Sequence, residues 1–173
     1  MENEKKIILF PVASHFLFHF HEIAFPALAI PLTLSLGMEL KDVLALGFPM
    51  YLLFGLGALP WGVFADHTSN RLALIIGFFG CAAGSFLTAL STTPSGILWS
   101  LAVIGAFCCI SHPAGMGLIS RGMQSRGTGL GLFSVAGTVG LIVGPFLAGL
   151  MNWLAGWKVA YAVMGAVSLV CGI

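Results

Sequence analysis

GLFSVAGTVGLIVGPFLAG, residues 131–149, is the stretch that decides how this chain folds. It carries no charged side chain and is close to the roughly 20 apolar residues that a helix needs to cross a bilayer. At about 100° per residue, Gly137, Gly140, Gly144 and Ala148 fall on one side of that helix. Small residues at this spacing let another backbone approach closely, and the proline at position 145 can bend the helix. The stretch reads as a membrane helix packed against a second helix.

The whole chain has the same character. Of its 173 residues 58% are hydrophobic and 8% charged, against roughly 25% charged in soluble domains. Mean hydropathy is +1.03. Seven Lys/Arg and six Asp/Glu cannot cover the surface of a soluble domain of this length, so the partner implied first is a lipid bilayer. A net charge of +1 with no basic cluster gives nothing for a nucleic acid to bind. Cys81, Cys108, Cys109 and Cys171 lie in apolar runs without metal-type spacing and read as free, packed thiols.

Turn signals divide the chain into six apolar runs, about 7–36, 43–65, 72–90, 97–120, 127–151 and 157–173. The connections are GMELKD, DHTSNR, STTPSG, RGMQSR and NWLAG, short enough to force neighbouring helices antiparallel. The expected fold is an all-α membrane protein, one six-helix transmembrane bundle over residues 1–173. The first run is too long for a signal peptide and no small-residue cleavage pattern follows it. With the amino terminus in the cytoplasm, Lys5, Lys6, Arg71, Arg121 and Arg126 lie inside and only Lys41 and Lys158 outside, as the positive-inside rule asks.

Two motifs add a resemblance. GVFADHTSNR, residues 62–71, sets Gly62 four residues before Asp66 at a helix end, and Gly131, Gly140, Gly144, Pro145 and Gly149 form a fixed pattern in the fifth helix. Placed in a six-helix series, these resemble the amino-terminal half of a major facilitator superfamily transporter. The family's loop motif, G-x-x-x-D-R-x-G-R-R, is matched at Gly62, Asp66 and Arg71 but not at His67, Ser69 and Asn70. The antiporter motif G-x8-G-x3-G-P-x2-G-G is matched except at Ala148. HFLFHFHEIAFPALAIP, SHPAGMGLIS and GWKVAYAVMG are similar to segments of drug-efflux members resembling the fosmidomycin-resistance proteins. The resemblance implies nested 3+3 helix repeats, and FPALAI (25–30) and HPAGMGLI (112–119) form a faint internal echo of that kind. It also implies a gating loop in which Asp66 pairs with a basic group, for which Arg71, Arg121 and Arg126 stand equally available. A plain helix-packing corner with an interfacial ion pair is the alternative.

The candidate site is SHFLFHFHE, residues 14–22, where three histidines and a glutamate interrupt an apolar run. On a helix His15, His19, Glu22 and Pro26 fall at about 0°, 40°, −20° and 20°, one stripe, while His21 points elsewhere. His15 and His19 lie about 12 to 18 Å in from the start of the first helix, and His112 about 12 Å in from the end of the fourth, at similar depth. The resemblance implies that both helices line a central cavity. Ionisable groups at this depth are costly unless hydrated or paired, and a His/Glu set can carry protons across the neutral range. Polar contacts between packed helices are the alternative for each residue, and a transition-metal site at His15, His19, Glu22 and His112 is a second one.

These readings point to a secondary transporter of a small solute, exporting in exchange for protons, in a bacterial inner membrane and without a cofactor. No P-loop, nucleophile elbow or metal-protease motif is present, so the chain does not read as an enzyme. Metal transport through the His/Glu stripe and a non-transporting subunit that assembles with a partner bundle are the other functions in view. A single six-helix wall would leave the stripe open to lipid, so a second six-helix bundle is expected, as the carboxy-terminal half of a longer chain or as another protomer of a homo- or heterodimer.

Overall fold

The computed structural model describes residues 2–173, and the side chains of Lys5 and Lys6, counted above in the charge bias, lie outside the described residues. Six spans cross the bundle. The first comprises helices Glu2–Ala27 and Ala29–Leu36, and the second Leu40–Ala45 and Phe48–His67. The third is Asn70–Leu90, and the fourth runs through Pro94–Cys108, a π-turn at Ser111–Gly115, and Met116–Gly122. The fifth is Arg126–Ala155 and the sixth Trp157–Gly172. Five stretches are long and apolar enough to cross a membrane, and the sixth, Trp157–Gly172, is shorter.

Prolines explain where the helices are interrupted. Pro31 has no N–H to give the Ala27 carbonyl, so the first span, expected as one run, breaks at Leu28. Pro26 likewise offers nothing to the Glu22 carbonyl, and the Tyr51 hydroxyl of the second span donates to it instead, at 3.2 Å. In the fourth span Pro113 stands inside the π-turn. Just before it the Ile110 N–H turns to Phe107, and the Ala106 carbonyl accepts from the Trp61 indole at 2.8 Å and the Cys109 thiol at 3.2 Å. In hydrocarbon an unmet carbonyl costs several kcal/mol, so freed backbone groups must find side-chain donors.

The connections carry ordinary caps. Gly37 ends the first span with φ +65°, a left-handed conformation suited to glycine, and its N–H bonds to the Thr33 carbonyl at 2.9 Å. The Ser69 and Thr93 hydroxyls accept from the N–H groups of Leu72 and Gly96 at the starts of the third and fourth spans.

The first span packs along the fifth, the second along the fourth, and the third against the fourth and sixth. Exchanging the first three spans for the last three maps the first–fifth pairing onto the fourth–second pairing and returns the third–sixth pairing to itself. The nested repeat is therefore visible in these pairings, while the third–fourth contact has no comparable sixth–first counterpart. Close approach is achieved through glycine. A Cβ on Gly140 would run into the Phe16 carbonyl, and one on Gly105 into the Met50 carbonyl. Phe18, Phe25, Leu28, Phe78, Leu101, Ile104 and Tyr161 fill the centre.

Candidate functional site

Helical period puts His15, His19 and Glu22 on one side of the first span, and the bundle turns that side toward the fourth and fifth spans. The side chains form a continuous hydrogen-bonded chain. His15 Nδ1 lies 2.6 Å from the Phe133 carbonyl oxygen, His15 Nε2 lies 3.0 Å from His19 Nε2, and His19 Nδ1 lies 2.6 Å from Glu22 Oε2. The π-turn brings His112 alongside, its ring centroid 4.9 Å from that of His15 and 5.4 Å from that of His19. The His15 ring also stacks on Phe133 at 3.8 Å with 6° between the planes.

Donor and acceptor rules restrict where protons sit on this chain. A carbonyl only accepts, so His15 Nδ1 must carry hydrogen. One of the two facing Nε2 atoms must carry hydrogen, and so must either His19 Nδ1 or the Glu22 carboxyl. Three contacts therefore need three protons, and every way of meeting them leaves the chain with zero net charge, as a neutral set or as an imidazolium balanced by a carboxylate or an imidazolate. Taking one proton away makes the set anionic and leaves two lone pairs facing each other at one contact.

His15, His19 and His112 line a cleft of about 470 Å³ together with Phe133, Ser134, Thr138 and Met116. Glu22 stands beyond its wall, 22% exposed, with Tyr51 on its backbone carbonyl. The cleft opens toward the exposed face of the fifth span, where Ser134 and Thr138 lie. His21, on the other side, is fully buried and bonds to the Leu17 carbonyl at 2.7 Å and the Ser168 hydroxyl at 3.3 Å.

One ring nitrogen from each of His15, His19 and His112 lies within 4.8 Å of the others, the place among the described residues where metal-type ligands gather. Nitrogens sharing a zinc ion at about 2.0–2.1 Å stand roughly 3.3 Å apart, so His112 would have to draw in and the His15–His19 contact give up its proton. Glu22 is outside that set.

At the end of the bundle that holds the amino terminus, Arg121 pairs with Asp66 at 2.5 Å, both side chains well exposed. Among the described residues, neither Arg71 nor Arg126 forms an ion pair with Asp66. Arg71 instead borders a cavity of about 520 Å³ with Ile7, Phe10 and Leu118. Gly62 meets the fourth span, where a Cβ would sit 3.4 Å from Pro113 Cβ.

The fifth-span glycines divide. Gly137, Gly140 and Gly144 face the first span, and a Cβ on Gly144 would lie 2.5 Å from Ile23 Cγ2. Among the described residues nothing lies within 4 Å of a Cβ on Gly131 or Gly149, and Pro145 lies between the two sets.

Three contributors carry no sequence signal of their own. They are the Phe133 carbonyl, the Tyr51 hydroxyl and Glu4, which accepts from the N–H groups of Gln124 and Ser125 at 2.7 and 3.2 Å. Those two backbone donors, Ser125 first, hold the Glu4 carboxyl below the usual carboxylate range.

Residues 12–173 match the Major Facilitator Superfamily. The chain is 24% identical over 141 residues to the probable L-galactonate transporter of Escherichia coli (strain K12), covering 80% of this chain and 31% of that protein. The fold matches that of a bacterial homologue of the human lysosomal transporter Spinster. In its inward-facing, unoccupied conformation the TM-score is 0.88 at 14% identity, over 98% of this chain and 42% of that one. In its inward-facing, occupied conformation the score is 0.85 at 15% identity, over 99% and 43%. This chain thus spans less than half the length of each of these proteins. Its match over residues 12–173, with the six-span fold behind it, makes the chain a member of the Major Facilitator Superfamily.

Proposed function

We propose that this chain forms one wall of a secondary active transporter that moves a small solute outward in exchange for protons, with the His15–His19–Glu22 chain holding the coupling proton. The observation that carries the reading is the 2.6 Å contact between His19 and Glu22 at the end of a hydrogen-bonded chain beside a cleft at membrane depth. Losing one proton breaks a contact, so occupancy of the relay is tied to a change of geometry. His112 faces the same cleft and is the group on the fourth span to which solute or proton passes.

The antiporter motif supports export, and the resemblance to fosmidomycin-resistance proteins supports a drug as cargo. The relative's cargo supports a sugar acid. L-Galactonate and fosmidomycin are the two solutes to present first. Arg71, Arg121 and Arg126 at the amino-terminal end, against Lys41 and Lys158 at the other, support a cytoplasmic amino terminus in a bacterial inner membrane. The Asp66–Arg121 pair spans the second and fourth spans there and is the gate contact of this reading.

The cleft faces outward from the bundle, beside the exposed Ser134 and Thr138. Polar groups at this depth are costly against lipid, which supports a second six-helix bundle as the cover.

The test uses everted membrane vesicles from cells expressing the protein in its native assembly. Glu22→Gln is expected to lower pH-gradient-driven uptake at least about tenfold, the loss of one charge-assisted contact, while solute exchange without a gradient stays within about twofold. Equal gradient-driven uptake by parent and variant would overturn the proton role. Zinc, iron or manganese flux abolished by His15→Ala with His19→Ala, with organic solutes unaffected, would put a metal in the place of the solute.

A further inference from the structure

His15 reaches the fifth span at a point where helices normally offer nothing. The carbonyl of residue 133 points along the helix toward position 137, and a side chain there would stand across its flank. Position 137 is glycine, and a Cβ on it would lie 2.5 Å from His15 Cε1, 2.6 Å from Nδ1 and 2.8 Å from Nε2. The imidazole fills the space that a side chain would take, with the Phe133 ring stacked on it at 3.8 Å and the Phe133 carbonyl 2.6 Å from Nδ1.

From this we infer that Gly137 is a positioning residue. By having no side chain it admits His15 to the Phe133 carbonyl, and the fifth span thereby dictates which nitrogen of His15 bears hydrogen and which way the relay runs. With Nδ1–H committed to the carbonyl, Nε2 is left to face His19, so His15 is the fixed end of the chain and Glu22 the exchanging end. The inference rests on reading these groups as a relay. It adds that the glycine-rich helix holds the relay's far end through one backbone acceptor. A shift of the fifth span by about an ångström would stretch that bond past hydrogen-bonding distance and free the ring.

Among the groups around His15, the Phe133 carbonyl is the one that meets Nδ1. His19 and Glu22 stand on the same helix, His112 on the fourth span and Tyr51 on the second. The fifth span has no titratable side chain after Arg126, so the Phe133 carbonyl is what it contributes.

The experiment is nitrogen-15 NMR of histidine-labelled protein, in its native assembly in lipid nanodiscs, with signals assigned by single histidine substitutions. The parent is expected to show His15 as the Nδ1–H tautomer, and Gly131→Ala, which meets nothing within 4 Å, is expected to leave that signal unchanged. Gly137→Ala is expected to convert most of the signal to the Nε2–H form. A parent His15 in the Nε2–H form, or a Gly137→Ala variant that keeps Nδ1–H, would overturn the inference. Should Gly137→Ala fail to assemble, the double variant Gly137→Ala with His15→Ala decides. Restored assembly supports the contact, and failure to restore it counts against it. No transport enters this readout, so the relay's coupling role stands or falls separately.

Discussion

Tyr51 and Trp61 show how single side chains settle the cost of helix breaks. Each donates to a carbonyl that its own helix has released, Glu22 in the first span and Ala106 in the fourth. Tyr51→Phe removes the donor and leaves the ring, so the thermal stability of the assembly in nanodiscs should fall by about 1 kcal/mol, the value of one hydrogen bond left unmade. An unchanged melting temperature would show that the Glu22 carbonyl is served otherwise. The His15/His19/Glu22 stripe was legible in the sequence because helical period alone sets which side chains align. The Phe133 carbonyl was not, since every residue has one and only packing selects which is used. Arg121 stood equal to Arg71 and Arg126 for the same reason. Chain order places all three near Asp66, and the geometry of the fourth span singles one out.

At the level of the helix, the glycine face along residues 137–148 is where small residues matter most. Gly144→Leu places four heavy atoms against Ile23 and Phe20 and should lower stability by about 1 to 3 kcal/mol or more through overpacking. At Gly149 an added Cβ has no neighbour within 4 Å among the described residues, so Gly149→Leu serves as the control. Thermal melts of the two variants should separate by that amount, and equal melts would refute the packing assignment. The runs of apolar residues were readable because hydrocarbon demands them. The break at Leu28 and the π-turn at Ser111–Gly115 were not readable as such. Proline announces a disturbance without saying whether the helix kinks, stops or bulges, and that outcome depends on which neighbour supplies a donor.

For the molecule as a whole, two contacts tie the amino-terminal end together. Asp66 meets Arg121, and the Glu4 carboxylate holds the Gln124 and Ser125 amides just ahead of the fifth span. Because those amides favour the ionised carboxylate, the Glu4 clamp is present above the ordinary carboxylate range, about 4.3, and is lost as pH falls through the lowered folded value. Hydrogen-exchange protection at Gln124 and Ser125 should drop on acidification in the parent and should be lower and flat with pH in Glu4→Gln. Protection that survives acid in the parent would rule the clamp out. The six-span architecture was legible from run length and turn spacing. A crosslink-verified monomer of the 173-residue chain in vesicles is expected to show no saturable solute flux, and such flux would refute the need for a cover.

The bond between His15 and Phe133 joins residues 118 positions apart. A ribosome adding about 5–20 residues per second delivers the second partner several seconds or more after the first. During that interval the first span can make its internal His15–His19–Glu22 contacts but His15 Nδ1 lacks the Phe133 carbonyl, and the second span holds Trp61 without the Ala106 carbonyl it will serve. Neither half of the internal repeat can finish by itself. A sheltered stage in which early spans wait for later ones is the expected consequence, and the His15 and Trp61 donors are the groups that wait.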